Sequence, residues 1–424
     1  MKLFLKLVIG LIALLAVAIG ALFLFKGDDL ARLSAANTVF DADKIVGNFS
    51  NMDRAFLTRE LNGEVDDSWA QTEVPLPETV MIGDQEQSVE AILAELDTTS
   101  LVIVRDGDII HESYYRGTGP DDRRISWSVA KSFMSGLYGP ALESGAIKSL
   151  DDEITTYVPD LAGTAYEGAT LRNILNMSSG IMFDENYADQ SSDINKMGRT
   201  IAFGGSLDKY TVGLKERQFE SGSAWQYVSM DTHVAAWALR NATGKSLHDL
   251  WEETYGPLGF RQPPFYLTDG KGVAFALGGL NLTTRDYAKF GQLFLQNGEW
   301  KGEQLIPADW VAASTVHSAP TLSDRDVGYG YQWWVPMPAD QDYFAVGIYG
   351  QYVYVDPKTN IVIAKNAADR EFMQATSVGP HSMNLNIALF RGLASQLGQA
   401  TDAPMDDASG EDMAEEASDE VMEP

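Results

Sequence analysis

The arrangement most able to do chemistry in this chain is a serine three residues ahead of a lysine, Ser128-Val129-Ala130-Lys131. On a helix, positions i and i+3 share one face, so the lysine amine reaches the serine hydroxyl. A hydroxyl is a poor nucleophile until a neighbour takes its proton. A lysine held partly away from water is neutral enough to help. Chance supplies about one S-x-x-K in a chain of this composition, and this one has two, the other being Ser206-Leu207-Asp208-Lys209. Their surroundings differ. Ser128 opens a segment in which Phe133, Met134, Leu137, Ala141 and Leu142 recur as on an amphipathic helix, with Gly145 as a stop. Ser206 follows Gly204-Gly205 and precedes no such pattern. The plainer role for Ser128 is a helix N-cap followed by a surface lysine, and the tetrapeptide alone does not decide. The G-x-S-x-G elbow of α/β hydrolases is absent.

The elements that must hold this pair are legible at both ends of the chain. Leu101 to Val104, then Asp106-Gly107, then Ile109-Ile110 predict a β-hairpin with a tight turn. Strands return at Tyr331 to Val335, Tyr343 to Val346, Tyr352 to Val355 and Ile361 to Ala364, with the short connections of antiparallel neighbours. Met383, Ile387, Phe390, Ala394 and Leu397 recur at helical spacing and predict a final helix over that sheet. The stretch from 128 to 300 reads as mostly helical and loop-rich. Together these predict one sheet built from both ends of the chain around a helical middle.

The 424 residues are 45% hydrophobic and 21% charged, a globular composition. A formal net charge of −29 repels phosphate and argues against a nucleic-acid partner. The absence of cysteine excludes disulfides, thiolate metal sites and a cysteine nucleophile. His111, His233, His248, His317 and His381 show no metal-ligand spacing, so a structural zinc is not expected, and a serine hydrolase would need neither a metal nor an organic cofactor. Leu7 to Phe25 carries no charge and is long enough to span a bilayer. Lys2 and Lys6 precede it, Asp28 and Asp29 follow it, and no small-residue cleavage site ends it. Residues 1–26 are therefore expected to be an uncleaved single-pass anchor in the cell (inner) membrane, with the rest on the periplasmic or extracytoplasmic side. Residues 27–78 would form a juxtamembrane arm, 79–398 the main domain, and 399–424 a disordered acidic tail.

Ile125 to Phe133 resembles the nucleophile region of the serine β-lactamase and penicillin-binding-protein superfamily. The nearest likeness is to its class C-like branch, with esterases and 6-aminohexanoate-dimer hydrolases. Leu150-Asp151-Asp152, Tyr157-Val158-Pro159, Leu171 to Gly180, Gly278-Gly279-Leu280, Thr284-Arg285-Asp286 and Gly298 to Pro307 follow in that branch's order. The resemblance spans residues 80–398 and implies an α+β fold, an antiparallel sheet flanked by helices with a helical subdomain beside it. It implies Ser128 as nucleophile, with Lys131 and Tyr227 as the acid/base pair. Tyr227-Val228-Ser229 supplies the branch's Y-x-S, with Ser229 placed against substrate. A phenol is no base at neutral pH, but a neighbouring ammonium favours a phenolate able to take the serine proton. The plainer role for Tyr227 is a core aromatic with its hydroxyl satisfied.

The same resemblance implies an oxyanion hole from the N–H groups of Ser128 and Ile348, the residue after a strand glycine, Gly347. It also implies a substrate contact from the loop residue Tyr187. Where classical members carry K-T-G or H-x-G, this chain has Ala345-Val346-Gly347. The cation that binds a β-lactam carboxylate is thus missing there. Trp333-Trp334 is expected to pack the sheet. The expectation is a membrane-anchored serine hydrolase cleaving a small amide or ester through an acyl-enzyme. A catalytically silent ligand-binding or envelope-sensing module, and a penicillin-binding peptidase, are the alternatives.

Overall fold

The computed structural model describes residues 29–320, 327–376, 378–379 and 381–398. The expected anchor over 1–26 and the acidic tail over 399–424 lie outside the described residues. Among the described residues, no helix is long and apolar enough to cross a membrane.

The alternating apolar runs build a central sheet of seven strands: β1 (Thr98–Arg105), β2 (Asp108–Tyr114), β3 (Val327–Tyr329), β4 (Trp334–Pro336), β5 (Tyr343–Gly347), β6 (Gln351–Asp356) and β7 (Ile361–Ala367). Their order is β3-β4-β5-β6-β7-β1-β2, antiparallel throughout. The two ends of the chain meet where β1 pairs with β7, Val102 opposite Ala364 and Ile103 opposite Ile363. Asp106 (φ 53°) and Gly107 (φ 88°) make the tight turn between β1 and β2. The strand expected over Tyr331 to Val335 is shorter. The chain turns at Gln332 (φ 66°), and pairing begins only at Trp334. Trp333 is spent on the core instead, packed on Phe290 and Phe294.

Side chains alternate across the sheet. Val102, Val104, Val353, Val355, Val362 and Ala364 face one core; Leu101, Ile103, Tyr352, Tyr354, Ile361 and Ile363 face another. Four helices carry the candidate residues or cover the sheet: α1 (Val129–Gly136), α2 (Ser229–Thr243), α3 (Thr284–Leu295) and α4 (Ser382–Gly398). The final helix, α4, covers the second face through Leu385, Leu389, Phe390, Leu393 and Leu397, as its spacing predicts. On the first face α1 and α3 meet, Phe133 stacked on Phe290 with ring centroids 3.6 Å apart. Burying a side chain of this size contributes about 1.5–3 kcal/mol, so α1 has little freedom to shift. The Thr284-Arg285 motif is scaffold. Thr284 donates to Ser100 at 2.7 Å, and Arg285 reaches Glu112 and Asp67.

A second sheet was not legible in the sequence. It joins Leu57–Glu60, Phe265–Thr268, Leu280–Leu282 and Arg124–Ile125. Strands of two to four residues are too brief for alternation to separate them from loops. This sheet matters because Arg124–Ile125 leads directly to Ser128. The segment before residue 79 enters the fold through Leu57–Glu60 and through Val39, Phe49 and Met52, all buried in the main core.

Candidate active site

The chain leaves the small sheet at Ile125, passes through Trp127 in a left-handed conformation (φ 42°) and enters α1 at Ser128. Ser128 occupies the N-cap position, yet its backbone is already helical and its side chain caps nothing. The other S-x-x-K behaves differently. Ser206 Oγ accepts the Lys209 backbone N–H at 3.3 Å and caps a short helix. The N-cap role thus belongs to Ser206, and the Ser128 hydroxyl is left for Lys131.

Lys131 is 2% exposed. Its Nζ donates to Leu277 O at 2.8 Å, Ser128 Oγ at 3.1 Å and Ser229 Oγ at 3.2 Å. A carbonyl can only accept, so Leu277 fixes one N–H and leaves the rest of the amine facing two hydroxyls. Burial pushes the Lys131 pKa down to about 7, against the opposing charges of Glu185 and Asp231. Burial thus favours the free amine, whose lone pair would lie beside Ser128 Oγ.

Tyr227 and Ser128 line the same cleft, and Lys131 Nζ lies 5.3 Å from the Tyr227 ring centre. Burial raises the Tyr227 pKa, the nearby Ser128 hydroxyl opposes this, and the Glu185 charge adds to it. Burial thus works against the phenolate expected from the sequence, because it disfavours both the phenolate and the ammonium that would stabilise it.

Gly347 ends β5 against the turn before α1. A Cβ there would come within 2.4 Å of Ser126 O and 3.0 Å of Ser128 N, so only glycine fits. Ile348 follows directly and lines the same cleft as Ser128. That cleft encloses about 730 Å³, with Glu185, Tyr187, Tyr227, Trp334 and Phe372 among its walls. Among the described residues that line it there is no Lys or Arg, and Glu185 and His381 are its titratable groups besides the tyrosines. Nor does any cluster of three or more His, Asp or Glu among the described residues suit a metal ion.

The profile of the family described as Beta-lactamase matches residues 86–377. The chain belongs to the Beta-lactamase family. The chain is similar to the 6-aminohexanoate-dimer hydrolase of Paenarthrobacter ureafaciens, 28% identical over 291 residues, which are 65% of this chain and 74% of the relative. Its fold is like that of a Bacillus anthracis protein provisionally described as a 6-aminohexanoate-dimer hydrolase. There the TM-score is 0.74 at 22% identity, covering 86% of this chain and 96% of the other. It is also like a D-stereospecific amidohydrolase from Streptomyces sp., with TM-score 0.56 at 20% identity, covering 72% and 99%.

Within this β-lactamase-family framework the remaining predicted residues divide. Tyr187 lines the cleft and donates to Glu185 Oε2 at 3.0 Å. Ser229, at the start of α2, is buried and its Oγ accepts from Lys131 Nζ at 3.2 Å. Trp334, expected only to pack the sheet, lines the cleft and stacks on Tyr227 with centroids 5.6 Å apart. Glu185 was missed. It accepts from the Ser229 backbone N–H and the Tyr187 hydroxyl, and burial raises its pKa. In the sequence it is one acid of several in Asp184 to Asp189; only the fold turns it inward.

Proposed function

We propose that this protein is a serine hydrolase that cleaves a small amide or ester through an acyl-enzyme. The observation that carries the reading is the buried Lys131 amine, held 3.1 Å from a serine hydroxyl that no backbone group occupies. Lys131 takes the Ser128 proton as Oγ attacks the carbonyl carbon. The resulting oxyanion sits between the N–H groups of Ser128 and Ile348, donors that matter because they meet charge developed in the transition state. Collapse expels the amine or alcohol, which receives its proton from Lys131 by way of the Tyr227 hydroxyl. Water then enters and the same groups run the sequence again to release the acid. The likeness to a 6-aminohexanoate-dimer hydrolase supports a linear amide substrate.

Ala345 is buried and paired with Val353 on β6, and no Lys or Arg is among the described residues lining the cleft. A charge-assisted hydrogen bond contributes about 1.5–3 kcal/mol, or one to two decades in affinity. A substrate carboxylate finds no such partner at position 345. The test is kcat/KM of the purified protein on p-nitrophenyl esters, short linear amides and nitrocefin. Esters and amides should exceed nitrocefin by at least about tenfold. Efficient turnover of nitrocefin with esters and amides untouched would replace this reading with a β-lactamase.

From the apolar run Leu7 to Phe25 we further place the enzyme at the membrane, facing outward. Cell fractionation should recover it in a carbonate-washed membrane pellet. A soluble mature protein beginning near residue 27 would mean a cleaved signal peptide instead.

A further inference from the structure

Two residues flanking the oxyanion donors are held in the left-handed region, Trp127 (φ 42°) just before Ser128 and Tyr349 (φ 61°) just after Ile348. Neither is a glycine, and large side chains adopt such angles only when their surroundings impose them. Two rings, Phe40 and Phe49, each touch both. Phe40 stacks on Tyr349 with centroids 5.2 Å apart at 17°, and on Trp127 at 5.8 Å and 28°. Phe49 meets the same two rings edge-on, at 5.4 Å and 5.6 Å. Phe40 and Phe49 both come from the segment before residue 57, far from the rest of the site in sequence.

That segment is bolted in place. Arg124, 1% exposed and four residues before Ser128, donates to Val46 O at 2.7 Å and Ser50 Oγ at 2.6 Å. Asn48 Nδ2 donates to Thr38 O at 2.8 Å and Val39 O at 3.2 Å, which fixes the turn presenting Phe40. Tyr349 in turn packs on Phe372, a wall of the cleft, at 4.9 Å. Phe40 itself is 44% exposed. An exposed aromatic contributes little to the core, so its placement across two strained residues calls for a reason other than burial.

We propose that Phe40 is a positioning residue for the oxyanion hole: laid across Trp127 and Tyr349, it holds the backbone turns that aim the Ser128 and Ile348 N–H groups. The inference rests on the acyl-enzyme reading above. Phe40 touches neither substrate nor reacting atoms. It acts by keeping two neighbouring peptide units, one from the turn before α1 and one from the end of β5, at a fixed separation. Geometry of that kind acts on the transition state more than on ground-state binding.

The test is Phe40→Ala in the full chain, assayed on a p-nitrophenyl ester beside Phe40→Tyr, Phe40→Leu and Ser128→Ala. Losing an entire oxyanion donor costs about 10²–10³ in kcat, and loosening two should cost at least about tenfold. The expected pattern is kcat of Phe40→Ala down tenfold or more, with KM within twofold and a melting temperature close to wild type. Phe40→Tyr, which keeps the ring, should restore kcat; Phe40→Leu, which keeps bulk without the ring, should not. A kcat within twofold of wild type in Phe40→Ala, or equal rescue by Leu and Tyr, overturns the proposal, as does a loss confined to KM. If Phe40→Ala fails to fold, the Leu–Tyr contrast in kcat decides in the same way. Activity surviving in Ser128→Ala overturns the reading of the site itself, and Phe40's role with it. An inert Ser128→Ala beside an unaffected Phe40→Ala overturns only the latter.

Discussion

Ser128→Ala should lower ester and amide turnover by at least about 10⁴-fold, because without the hydroxyl no acyl-enzyme forms. The protein should still fold. The Ser128 side chain caps no backbone N–H, so the cost of losing an N-cap does not apply. What is lost is one acceptor for Lys131, which keeps Leu277 O and Ser229 Oγ. The change in stability should stay within about 1 kcal/mol. Ser206→Ala is the informative control. It removes a real N-cap and should cost about 1 kcal/mol of stability while leaving turnover unchanged. The two substitutions should thus separate activity from stability in opposite directions. Ser128→Ala turning over substrate normally while folded would remove Ser128 from the mechanism.

Lys131→Met should lower kcat/KM by about 10²–10⁴-fold, the usual contribution of a positioned general base. The pH dependence follows from the same group. Wild-type kcat/KM should rise with pH as the ammonium loses its proton, half-maximal near the depressed value of about 7, and fall away below it. In Lys131→Met the residual rate should lose that acidic limb. Stability should not suffer. Folding lowers this pKa below its unfolded value of about 10.4, so the lysine opposes folding at every pH below the unfolded value. That cost is full below about pH 7 and fades as pH rises toward the unfolded pKa. Methionine, similar in length and uncharged, removes it but leaves Leu277 O without its donor, so the two effects oppose and the variant should melt close to the wild-type temperature near neutral pH. A wild-type rate flat from about pH 5 to 9, or a retained acidic limb in Lys131→Met, would assign the base to another group.

The long periodic elements were the legible ones. The hairpin of β1 and β2, the late strands and α4 each repeat their apolar pattern often enough to declare a period. Ser128 and Lys131 were legible because their chemistry is compressed into four residues on one helical face. The sequence could not say which of two such tetrapeptides was the capped one; that depended on whether the serine's backbone turns helical before its side chain can bend back. Glu185 was illegible for the opposite reason. An acid in an acid-rich loop carries no local mark of burial, and its pairing with the Ser229 N–H and Tyr187 hydroxyl is made wholly by tertiary structure. Trp334 and Phe40 belong to the same class. Trp333 lies in the turn before β4 and enters the core, while Trp334, the first residue of the strand, meets Tyr227. Phe40 reaches the site from far upstream through a small sheet and a buried arginine that have no periodic signature.

If Ser128 Oγ becomes covalently acylated after Lys131 removes its proton, a fluorophosphonate reports it directly. Oγ attacks phosphorus, fluoride leaves, and the hydroxyl proton passes to the lysine amine. Intact-mass measurement followed by peptide mapping of the labelled wild-type protein should show one adduct, on the peptide containing Ser128, forming faster as pH rises through about 7. The adduct should be absent from Ser128→Ala and strongly slowed in Lys131→Met. An adduct on another serine, or an unlabelled protein that nonetheless hydrolyses esters, would contradict the assignment of Ser128 as the nucleophile.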